Sequence, residues 1–434
     1  MNKSNIQFLV RCFLPDLTML SIILLLFAFN SEVLTNYKFL GFIIILENIW
    51  LCIKTRKKPL LLFVFVVISL VNISAGWTDI FNRGLHVANW QVGLRLSSYS
   101  LNTAISLLLF SVIINLFFNP RTISNLPDFK EIHIDRKSNG YISIVCCIIL
   151  LLIVMFGYGG KAVIGEYTSS SNVLIEYSGL IFLLGYFYSK NNKAFDYFSY
   201  IYLVIFLSRS LIRGDRSAAS IILFMFVILY LPKLLQISKL LIFTILAIVG
   251  SNIIGVIRNM MNSPVDSIIS QMVNRGLYID TVSYAYYTSI TFTSFHDIIG
   301  RGSYFFHQFI ISIFLGTSNS EFASFSKYIR EYDSFFFNRD GGFLSSWFYA
   351  WGGIIGVVIG TIVFSLLLLK VFRMRTSYTQ LLTILFASYS IRWYLYNPIN
   401  LVRVCILVFS ILYLVSFFIN KLLKRKTLSI DKKN

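Results

Sequence analysis

The stretch YISIVCCIILLLIVMFG, residues 141–157, is apolar almost throughout and contains no charged residue. A helix of about 20 such residues is long enough to cross the hydrocarbon core of a bilayer. Similar runs recur along the chain of 434 residues, which is 56% hydrophobic and only 13% charged. Polar residues are too few to cover a soluble protein of this composition, and the continuous runs favour helices over a transmembrane β-barrel. The sequence therefore predicts an all-α polytopic membrane protein.

Apolar runs of spanning length predict about twelve transmembrane helices. They lie near residues 13–30, 37–53, 59–75, 99–118, 141–157, 173–188, 195–209, 217–232, 239–257, 344–370, 378–392 and 401–420. The stretch HQFIISIFLG (307–316) is shorter and is predicted to be an interfacial or re-entrant piece. Residues 1–257 thus hold helices one to nine, residues 258–343 form a long outer loop carrying short helices, and residues 344–434 hold helices ten to twelve and a cytoplasmic tail.

Lysine and arginine in the short loops set the predicted orientation, because cytoplasmic loops carry an excess of both. The basic segments are KTRKK (54–58), SKNNK (189–193), PKLLQISK (232–239), KVFRMR (370–375) and KLLKRK (421–426). All of them fall on one side of a twelve-helix bundle when both termini are cytoplasmic. The net charge of +19 then reflects orientation and attraction to anionic lipids or substrates, and nucleic acid is not an expected partner.

Two loops on the opposite, outer side are longer than the others. One covers residues 76–98 and the second covers residues 258–343. Loops of that length are usually functional or form a domain. The second loop has six basic and seven acidic residues, so it contributes little to orientation. The outer side is therefore predicted to be the working surface.

The stretch RSLIRGDRSAAS (209–220) places Arg209, Arg213 and Arg216 on the outer side, against the positive-inside rule. If helix seven continues through them, they lie at i, i+4 and i+7 and share one face. If the helix breaks at Gly214, the exposed amides there add anion-binding capacity. Both alternatives gather three guanidinium groups at one helix end.

Arginine binds phosphate well because its planar fork donates two parallel hydrogen bonds. Arg258 leaves helix nine at the same level and can join the other three arginines. The predicted ligand is a polyprenyl pyrophosphate, whose phosphates lie at the membrane interface while its tail runs in lipid. The alternative is that the arginines snorkel to lipid headgroups or pair with Asp215.

Deprotonation of a sugar hydroxyl needs a base near the arginines. His296, Asp297 and Asp340 are the candidates, and the sequence does not choose between them. The four histidines and five cysteines show no metal-ligand spacing, and no nucleotide-binding loop is present, so neither metal nor cofactor is expected. Glu47 and Glu176 lie in or beside predicted spans, which is costly and indicates function or a buried pair.

The stretch GGFLSSWFYAWGGIIGVVIG (341–360) leads from the long loop into helix ten. Its glycines predict close packing of helix ten against a neighbouring helix. These glycines are Gly352, Gly353, Gly356 and Gly360. The aromatic residues before them are typical of an interfacial belt and can also stack on sugar rings. They are Trp347, Phe348, Tyr349 and Trp351.

This plan resembles the bacterial O-antigen polymerase family, the Wzy type, which joins lipid-linked oligosaccharide repeat units. The resemblance covers most of the chain as architecture. RSLIRGDRS (209–217) is similar to the arginine-bearing segment of that family, and GGFLSSWFYAWGGIIG (341–356) resembles its stretch after the long loop. Trp347 and Phe348 stand where relatives often carry an acidic residue, and Pro264 is the only proline in a loop that has a Pro-rich motif in many relatives.

The resemblance implies a glycosyl transfer on the outer face of the bacterial cytoplasmic (inner) membrane. The glycan on undecaprenyl pyrophosphate is the donor, and the terminal sugar of a fresh lipid-linked repeat unit is the acceptor. Arginines that bind the leaving pyrophosphate stabilise the charge that develops on it. The candidate catalytic residues are Arg213, Arg216, Arg258, His296 and Asp340, and the candidate substrate-binding residues are Arg209, Arg301, Arg339 and Trp347.

The resemblance also implies partners for this reaction. They are the undecaprenyl-pyrophosphate-linked oligosaccharide, membrane lipids, a flippase and a chain-length regulator. The nearest alternative function is an O-antigen ligase, which uses the same donor with lipid A core as acceptor. A polysaccharide flippase is the next, although a transporter predicts two similar halves and a charged central cavity, and no internal repeat is visible. A non-enzymatic membrane protein is the last alternative.

Overall fold

The computed structural model describes residues 36–82, 98–127, 136–158, 173–190, 192–213, 215–259, 279–316 and 341–431. Helices make up nearly all of these ranges, and the described backbone contains no β-strand, as the all-α prediction requires. The predicted span near 13–30 lies outside the described residues.

The helices follow the predicted apolar runs closely. They are α1 (Tyr37–Thr55), α2 (Pro59–Ala75), α3 (Ser98–Phe117), α4 (Gly140–Phe156), α5 (Val173–Phe187), α6 (Lys193–Ile212), α7 (Arg216–Tyr230), α8 (Ile237–Asn259), α9 (Asp280–Ile299), α10 (Gly302–Leu315), α11 (Leu344–Phe372), α12 (Ser377–Ser388) and α13 (Phe409–Asp431). Short π-helical segments cover Gly76–Phe81, Arg392–Tyr396 and Asn400–Val408. In the described chain, the helices long and apolar enough to cross a membrane are Pro59–Phe81, Ser98–Phe117, Lys193–Ile212, Leu344–Phe372 and Asn400–Leu423.

Polar residues at the helix starts explain where several helices begin. The side chains of Asn139 and Asn192 each accept a hydrogen bond from the backbone N–H three residues later. Thr376 and Thr379 cap each other's backbone N–H groups at the start of α12. A cap of this kind contributes about 1 kcal/mol to stability. Pro59 is the first residue of α2. A backbone N–H at this position has no hydrogen-bond partner within the helix, so proline is tolerated there.

Helices α2 and α3 form the centre of the bundle. In the most apolar part of each, 78% of the residues are buried by the rest of the protein, compared with 28% for α6. Ile201 and Val204 of α6 leave most of their surface uncovered. Large apolar side chains remain exposed on a helix that borders lipid, so this contrast supports a membrane location for α6.

Short segments rich in lysine and arginine lie at one end of the bundle, which we call the basic end. Lys58 Nζ donates to the carbonyl oxygen of Leu126, which joins the ends of α1 and α3. Met374, just after α11, lines the same small cavity as these two residues. Arg136, before α4, forms an ion pair with Asp196 of α6 at 3.4 Å. Basic segments that are far apart in the sequence therefore share one end of the described bundle.

Helix α9 differs from the predicted loop with short helices. It is 20 residues long and is buried almost throughout between Val282 and Phe295. It packs against α2, α3 and α11. Its many hydroxyl residues hid it from a search for apolar runs, but most of those hydroxyls donate to backbone carbonyls of α9 itself, and a few also contact neighbouring helices. The hydroxyls of Thr293 and Thr103 lie 2.9 Å apart. The prediction of only short helices in this segment is therefore wrong for α9.

Helix α10 contains the stretch predicted to be interfacial or re-entrant. One face of α10, which includes Phe305 and Phe309, is buried against the bundle, and the opposite face, which includes Phe306 and Phe314, is exposed. Arg403 Nη1 donates to the carbonyl oxygen of Ser312 at 3.4 Å, so a cation lies at the negative end of the α10 dipole. This amphipathic character is typical of a helix that lies in a membrane interface.

Helix α11 is broken at Gly352 and Gly353, where the backbone leaves helical geometry. Gly353 has a φ of +60°, a conformation that L side chains rarely adopt. The break brings Phe348 onto the turns that follow, and a Cβ on Gly360 would lie 2.5 Å from the Phe348 ring. The predicted packing of Gly356 and Gly360 against a neighbouring helix is therefore wrong, because their closest neighbour is Phe348 of α11 itself.

Candidate functional site

Two helix ends meet where the sequence predicted an arginine cluster, at the end of the bundle opposite the basic end. Helix α6 ends one residue before Arg213, so Arg209 and Arg213 lie one turn apart at its end. Helix α7 begins at Arg216, and the Asp215 side chain caps it. One continuous helix through all three arginines is therefore excluded. Gly214, the predicted break, lies outside the described residues.

Asp215 is the hydrogen-bonding centre of this turn. Its Oδ1 accepts from the backbone N–H of Ala218 at 3.1 Å and from Ser217 Oγ at 2.9 Å. Tyr158 donates to its Oδ2 at 3.5 Å, and the Tyr158 and Ser210 hydroxyls lie 2.8 Å apart. Burial raises the pKa of the Tyr158 hydroxyl and the Asp215 charge raises that pKa further, so Tyr158 stays a neutral donor. The network fixes the turn between α6 and α7.

Arg392, in the π-helical segment after α12, joins the same group from a distant part of the chain. It forms an ion pair with Glu176 of α5, and its Nη1 donates to Ser217 Oγ at 2.6 Å. Its Cζ lies 5.4 Å from the centre of the Tyr396 ring. Its Nε–H is buried and has no hydrogen-bond partner among the described residues. Glu176 is thus paired, which is one of the two roles that the sequence predicted for it.

The assembled group has an excess of positive charge. Arg213 is only 8% exposed, and its Cζ lies 5.1 Å from the centre of the Tyr158 ring. We call the group the arginine cluster. Contacts link Arg213 and Arg392 with Glu176 and Asp215, and we include Arg209 and Arg216 because they lie at the adjoining ends of α6 and α7. Four cations and two carboxylates leave a formal charge of about +2, which matches the charge of a pyrophosphate diester.

A buried network of amides and hydroxyls holds the Arg392 segment in place. Tyr394 donates through its hydroxyl to Asn72 Oδ1 on α2. Asn72 Nδ2 in turn donates to Asn48 Oδ1 at 3.0 Å, and Asn48 Nδ2 donates to Ser111 Oγ at 3.1 Å. Buried polar groups usually form such hydrogen bonds, because a buried polar group without a partner destabilises the folded protein. The segment is therefore tied to α1, α2 and α3 at the centre of the bundle.

A second polar cluster lies at the break in α11. Asp297 at the end of α9 accepts from the Tyr349 hydroxyl at 2.9 Å and from Asn102 Nδ2 at 2.9 Å. His296 Nδ1 lies 3.2 Å from the carbonyl oxygen of Ala350. A carbonyl oxygen only accepts, so this contact requires the hydrogen on Nδ1. The other ring nitrogen, Nε2, lies beside Gly353, where an added Cβ would come within 3.0 Å of it.

The two clusters are connected through the residues that enter α11. Gly342 N donates to the carbonyl oxygen of Leu395 at 2.9 Å, and Phe343 N donates to Ser289 Oγ at 2.9 Å. His296 lies two turns beyond Ser289 on α9, which corresponds to roughly 10 Å along the helix. The arginine cluster and the His296 cluster are thus neighbouring but separate groups.

The other predicted site residues fall in three positions. Arg258 is in the last turn of α8, and Arg301 precedes the first residue of α10 on the exposed surface. Arg339 and Asp340 lie outside the described residues. Trp347 is 5% exposed, and its ring lies 4.5 Å from Phe292. The predicted interfacial belt is wrong for Trp347, Phe348 and Tyr349, because all three are buried inside the protein. Trp347 and Tyr349 contact α9, and Phe348 lies against Gly356 and Gly360 of α11.

Sequence reasoning missed Arg392, although a signal was present. An arginine that interrupts an apolar run in a predicted span is costly in lipid and needs a partner. Glu176 of α5 is also a charged residue in a predicted span. The ion pair between Glu176 and Arg392 gives each of the two residues its partner. Tyr158 gave no signal, because a tyrosine at a helix end is common in membrane proteins.

Comparison with protein-family models, with curated proteins and with solved structures finds no match to this chain. The charge and geometry of the two clusters and the resemblance of the sequence motifs are therefore the grounds for assigning a function.

Proposed function

We propose that this protein is a membrane glycosyltransferase that polymerises undecaprenyl-pyrophosphate-linked oligosaccharide repeat units into O-antigen or a related surface polysaccharide. The observation that carries the proposal is the arginine cluster, in which Arg392 and Arg213 are held by a network with Glu176 and Asp215 at one end of the bundle, and Arg209 and Arg216 lie at the two helix ends beside them. A site with this charge and this rigid frame fits the pyrophosphate of a lipid-linked donor.

The location of the cluster supports an outer active site. The basic end carries the short segments rich in lysine and arginine, so the positive-inside rule places that end in the cytoplasm. The arginine cluster lies at the other end of the described bundle and therefore faces the outside. The lipid-linked repeat units are expected on the outer side of the cytoplasmic membrane. The proposal keeps the twelve predicted spans and the two cytoplasmic termini.

The chemistry is a displacement at the anomeric carbon of the donor. The acceptor hydroxyl oxygen forms a bond to that carbon, the bond from carbon to the pyrophosphate oxygen breaks, and undecaprenyl pyrophosphate leaves with the electron pair. Arg213 and Arg392 donate to the leaving pyrophosphate and stabilise its growing charge. Arg209, Arg216 and Arg258 add positive potential, and neither metal nor cofactor takes part.

His296 is our candidate for the base that accepts the proton of the acceptor hydroxyl. Its ring is oriented by the carbonyl of Ala350, and the hydrogen that this contact requires on Nδ1 leaves Nε2 as the nitrogen that would take the proton. The acceptor sugar lies between the two clusters in this proposal. A His296→Gln variant keeps a hydrogen-bonding side chain of similar size without the base, so it should bind the lipid-linked donor normally and form polymer slowly.

A gene deletion tests the proposal and separates it from its rivals. Surface polysaccharide and the carrier-lipid fraction of the deletion strain are run side by side on gels. Single repeat units on lipid A core, with the ladder gone, support a polymerase. A ladder that persists on undecaprenyl pyrophosphate but is missing from lipid A would show a ligase instead. Single repeats trapped on the cytoplasmic side would show a flippase and overturn the proposal.

A further inference from the structure

Asp297 is the exposed member of the polar cluster at the break in α11, and the proposed displacement gives it no task. Its Oδ1 accepts from the Tyr349 hydroxyl at 2.9 Å, and its Oδ2 accepts from Asn102 Nδ2 at 2.9 Å. A carboxylate has about four lone-pair sites, so these two donors leave acceptor capacity unused. Among the described residues, no lysine or arginine forms an ion pair with Asp297. The carboxylate can therefore accept hydrogen bonds from a ligand.

Asp297 lies at the end of the bundle opposite the basic end. Its partner Asn102 is near the start of α3, and the last turn of α3 is at the basic end, where Lys54 Nζ donates to the carbonyl oxygen of Asn115. Asp297 itself is in the last turn of α9, directly after His296. The carboxylate and the candidate base therefore lie on the side of the bundle that carries the arginine cluster.

The break in α11 leaves room for a ligand next to these two residues. His296 Nδ1 lies 3.2 Å from the carbonyl oxygen of Ala350, so the ring is held against the turn before the break. A Cβ on Gly353 would lie 3.0 Å from His296 Nε2, so the glycine keeps a side chain away from this nitrogen. Gly352 is exposed, and a Cβ there would meet nothing within 4 Å. The two glycines thus leave the break uncrowded.

We propose that Asp297 binds the terminal sugar of the acceptor by accepting hydrogen bonds from its hydroxyl groups, while His296 deprotonates another hydroxyl of the same sugar. This inference rests on the proposed function, because it assigns a binding residue to the acceptor of that reaction. A sugar carries hydroxyl groups on neighbouring carbons, which suits two adjacent side chains. Asp297 is a substrate-binding residue in this scheme and takes no proton.

Charge explains why a carboxylate suits this position. A hydrogen bond from a hydroxyl to a carboxylate is roughly twice as strong as one between neutral groups. The same negative charge repels a pyrophosphate, so Asp297 favours the sugar end of a lipid-linked unit. The arginine cluster has the opposite charge and favours the pyrophosphate end. The two clusters therefore attract different parts of their substrates.

The structural alternative is that Asp297 only braces α9 against α3 and α11. Asp297→Asn tests this, because it keeps the size of the side chain and one acceptor oxygen but removes the charge. If Asp297 binds the sugar, the dissociation constant of the sugar should rise about tenfold. If it is only a brace, the loss of sugar binding should be matched by other substitutions that loosen α9.

The chain offers a matched control at the other end of α9. Asp79 is also an aspartate that contacts this helix, and its Oδ2 accepts from Ser283 Oγ at 2.9 Å. It is only 2% exposed, so no ligand reaches it from the surface. Asp79→Asn removes a carboxylate and keeps an acceptor for Ser283. It should therefore leave sugar binding unchanged.

The experiment measures binding of two probes to the full chain in nanodiscs of neutral phosphatidylcholine. The first probe is the repeat-unit oligosaccharide, released by mild acid from the carrier lipid of the deletion strain and labelled at its reducing end with tritiated borohydride. It keeps the terminal sugar and lacks the pyrophosphate. The second probe is undecaprenyl pyrophosphate, which lacks the sugar. Asp297→Asn should weaken binding of the oligosaccharide alone, and Arg392→Ala should weaken binding of undecaprenyl pyrophosphate alone.

A second measurement uses the wild-type protein and does not depend on the folding of a variant. A water-soluble carbodiimide with glycinamide converts exposed carboxylates into amides, and mass spectrometry of the peptides reports the extent at Asp297. Bound oligosaccharide should protect Asp297 from this reaction, whereas undecaprenyl pyrophosphate should not. Equal amidation with and without the oligosaccharide would contradict the inference.

The binding results have clear meanings. A loss of oligosaccharide binding in Asp297→Asn, with normal binding in Asp79→Asn, supports the inference. An equal loss in both variants, or no oligosaccharide binding by the wild-type protein, would overturn it. Normal oligosaccharide binding by an Asp297→Asn protein that forms no polymer would also overturn it, because Asp297 would then act in bond making.

Polymer formation by the same preparations separates this inference from the proposed function. Wild-type protein that joins repeat units while Asp297→Asn binds the oligosaccharide normally overturns only the role of Asp297. Protein that binds the oligosaccharide through Asp297 but neither binds undecaprenyl pyrophosphate nor forms polymer overturns the polymerase and leaves a sugar-binding site at Asp297.

Discussion

The two ends of the bundle use positive charge in different ways. At the basic end, the cations make contacts at separate places: Lys54 Nζ donates to the carbonyl oxygen of Asn115 at 2.8 Å, and Lys137 Nζ lies 5.2 Å from the ring centres of Phe187 and Phe417. At the opposite end, Arg392 contacts a carboxylate and a hydroxyl within a connected network. The first arrangement spreads charge over a surface, and the second concentrates it at one point.

This difference indicates different roles for the same residue types. Spread charge near a membrane surface orients a protein and attracts anionic lipid headgroups, and no single residue is essential to it. Concentrated charge held by neighbours is preorganised for one ligand, and each member contributes to binding or catalysis. Single substitutions should therefore be costly at the arginine cluster and mild at the basic end.

The largest effect is expected for Arg392→Ala. The substitution removes a donor to the leaving pyrophosphate and also leaves the Glu176 carboxylate facing the other ligand charges. We expect polymer formation to slow by about 1000-fold, at the upper end of the effect of one stabilising donor. The rate is measured with purified protein and a lipid-linked repeat unit. Arg392→Lys keeps the charge without the planar fork and should recover part of the rate.

A smaller loss is expected for Arg213→Ala, which leaves the Arg392 and Glu176 pair intact. We expect about a 100-fold slower reaction, because one donor to the pyrophosphate is lost while Arg392 stays in place. Polymer length in cells and protein level in membranes are measured together. Full-length polymer at wild-type rate would contradict a role for Arg213 in binding the pyrophosphate.

Ser217→Ala should have a still smaller effect. The Ser217 hydroxyl accepts from Arg392 and donates to Asp215, so its loss loosens the cluster without removing charge. A single hydrogen bond of this kind contributes about 1 kcal/mol, which corresponds to roughly a fivefold change in rate. Ser220→Ala is the control, because the Ser220 hydroxyl donates to a carbonyl of its own helix. Equal losses in both variants would mean that the effect comes from α7 itself.

Much of the fold could be predicted from the sequence, because apolar runs report helices directly. The ends of α1 to α8 and of α11 differ from the predicted spans by only a few residues. Helix α9 could not be found in this way, since its buried surface is rich in hydroxyls that lower the hydropathy of the segment. Most of them donate to carbonyls of α9 itself, and Ser283 donates to Asp79 at 2.9 Å. A buried helix of this composition leaves no periodic apolar signal.

The candidate site could be predicted in part. Arg209, Arg213 and Arg216 are close in the sequence, so their clustering follows from the chain itself. Arg392 is more than 170 residues from its partner Ser217 and its contact depends on tertiary packing. Asp215 lies in the short segment between α6 and α7. The sequence did not indicate that its side chain both caps α7 and accepts a hydrogen bond from Tyr158.

The smallest effect is expected for Arg136→Ala at the basic end. Arg136 forms an ion pair with Asp196 and lies 3.7 Å from the centre of the Tyr186 ring, so it resembles Arg392 in its contacts. Its pair is partly exposed, and such pairs contribute about 1 kcal/mol or less to stability. We expect a slightly lower unfolding temperature and an unchanged rate of polymer formation. A loss as large as that of Arg392→Ala would mean that both ion pairs act by bracing helices, and the functional distinction between the two ends would then fail.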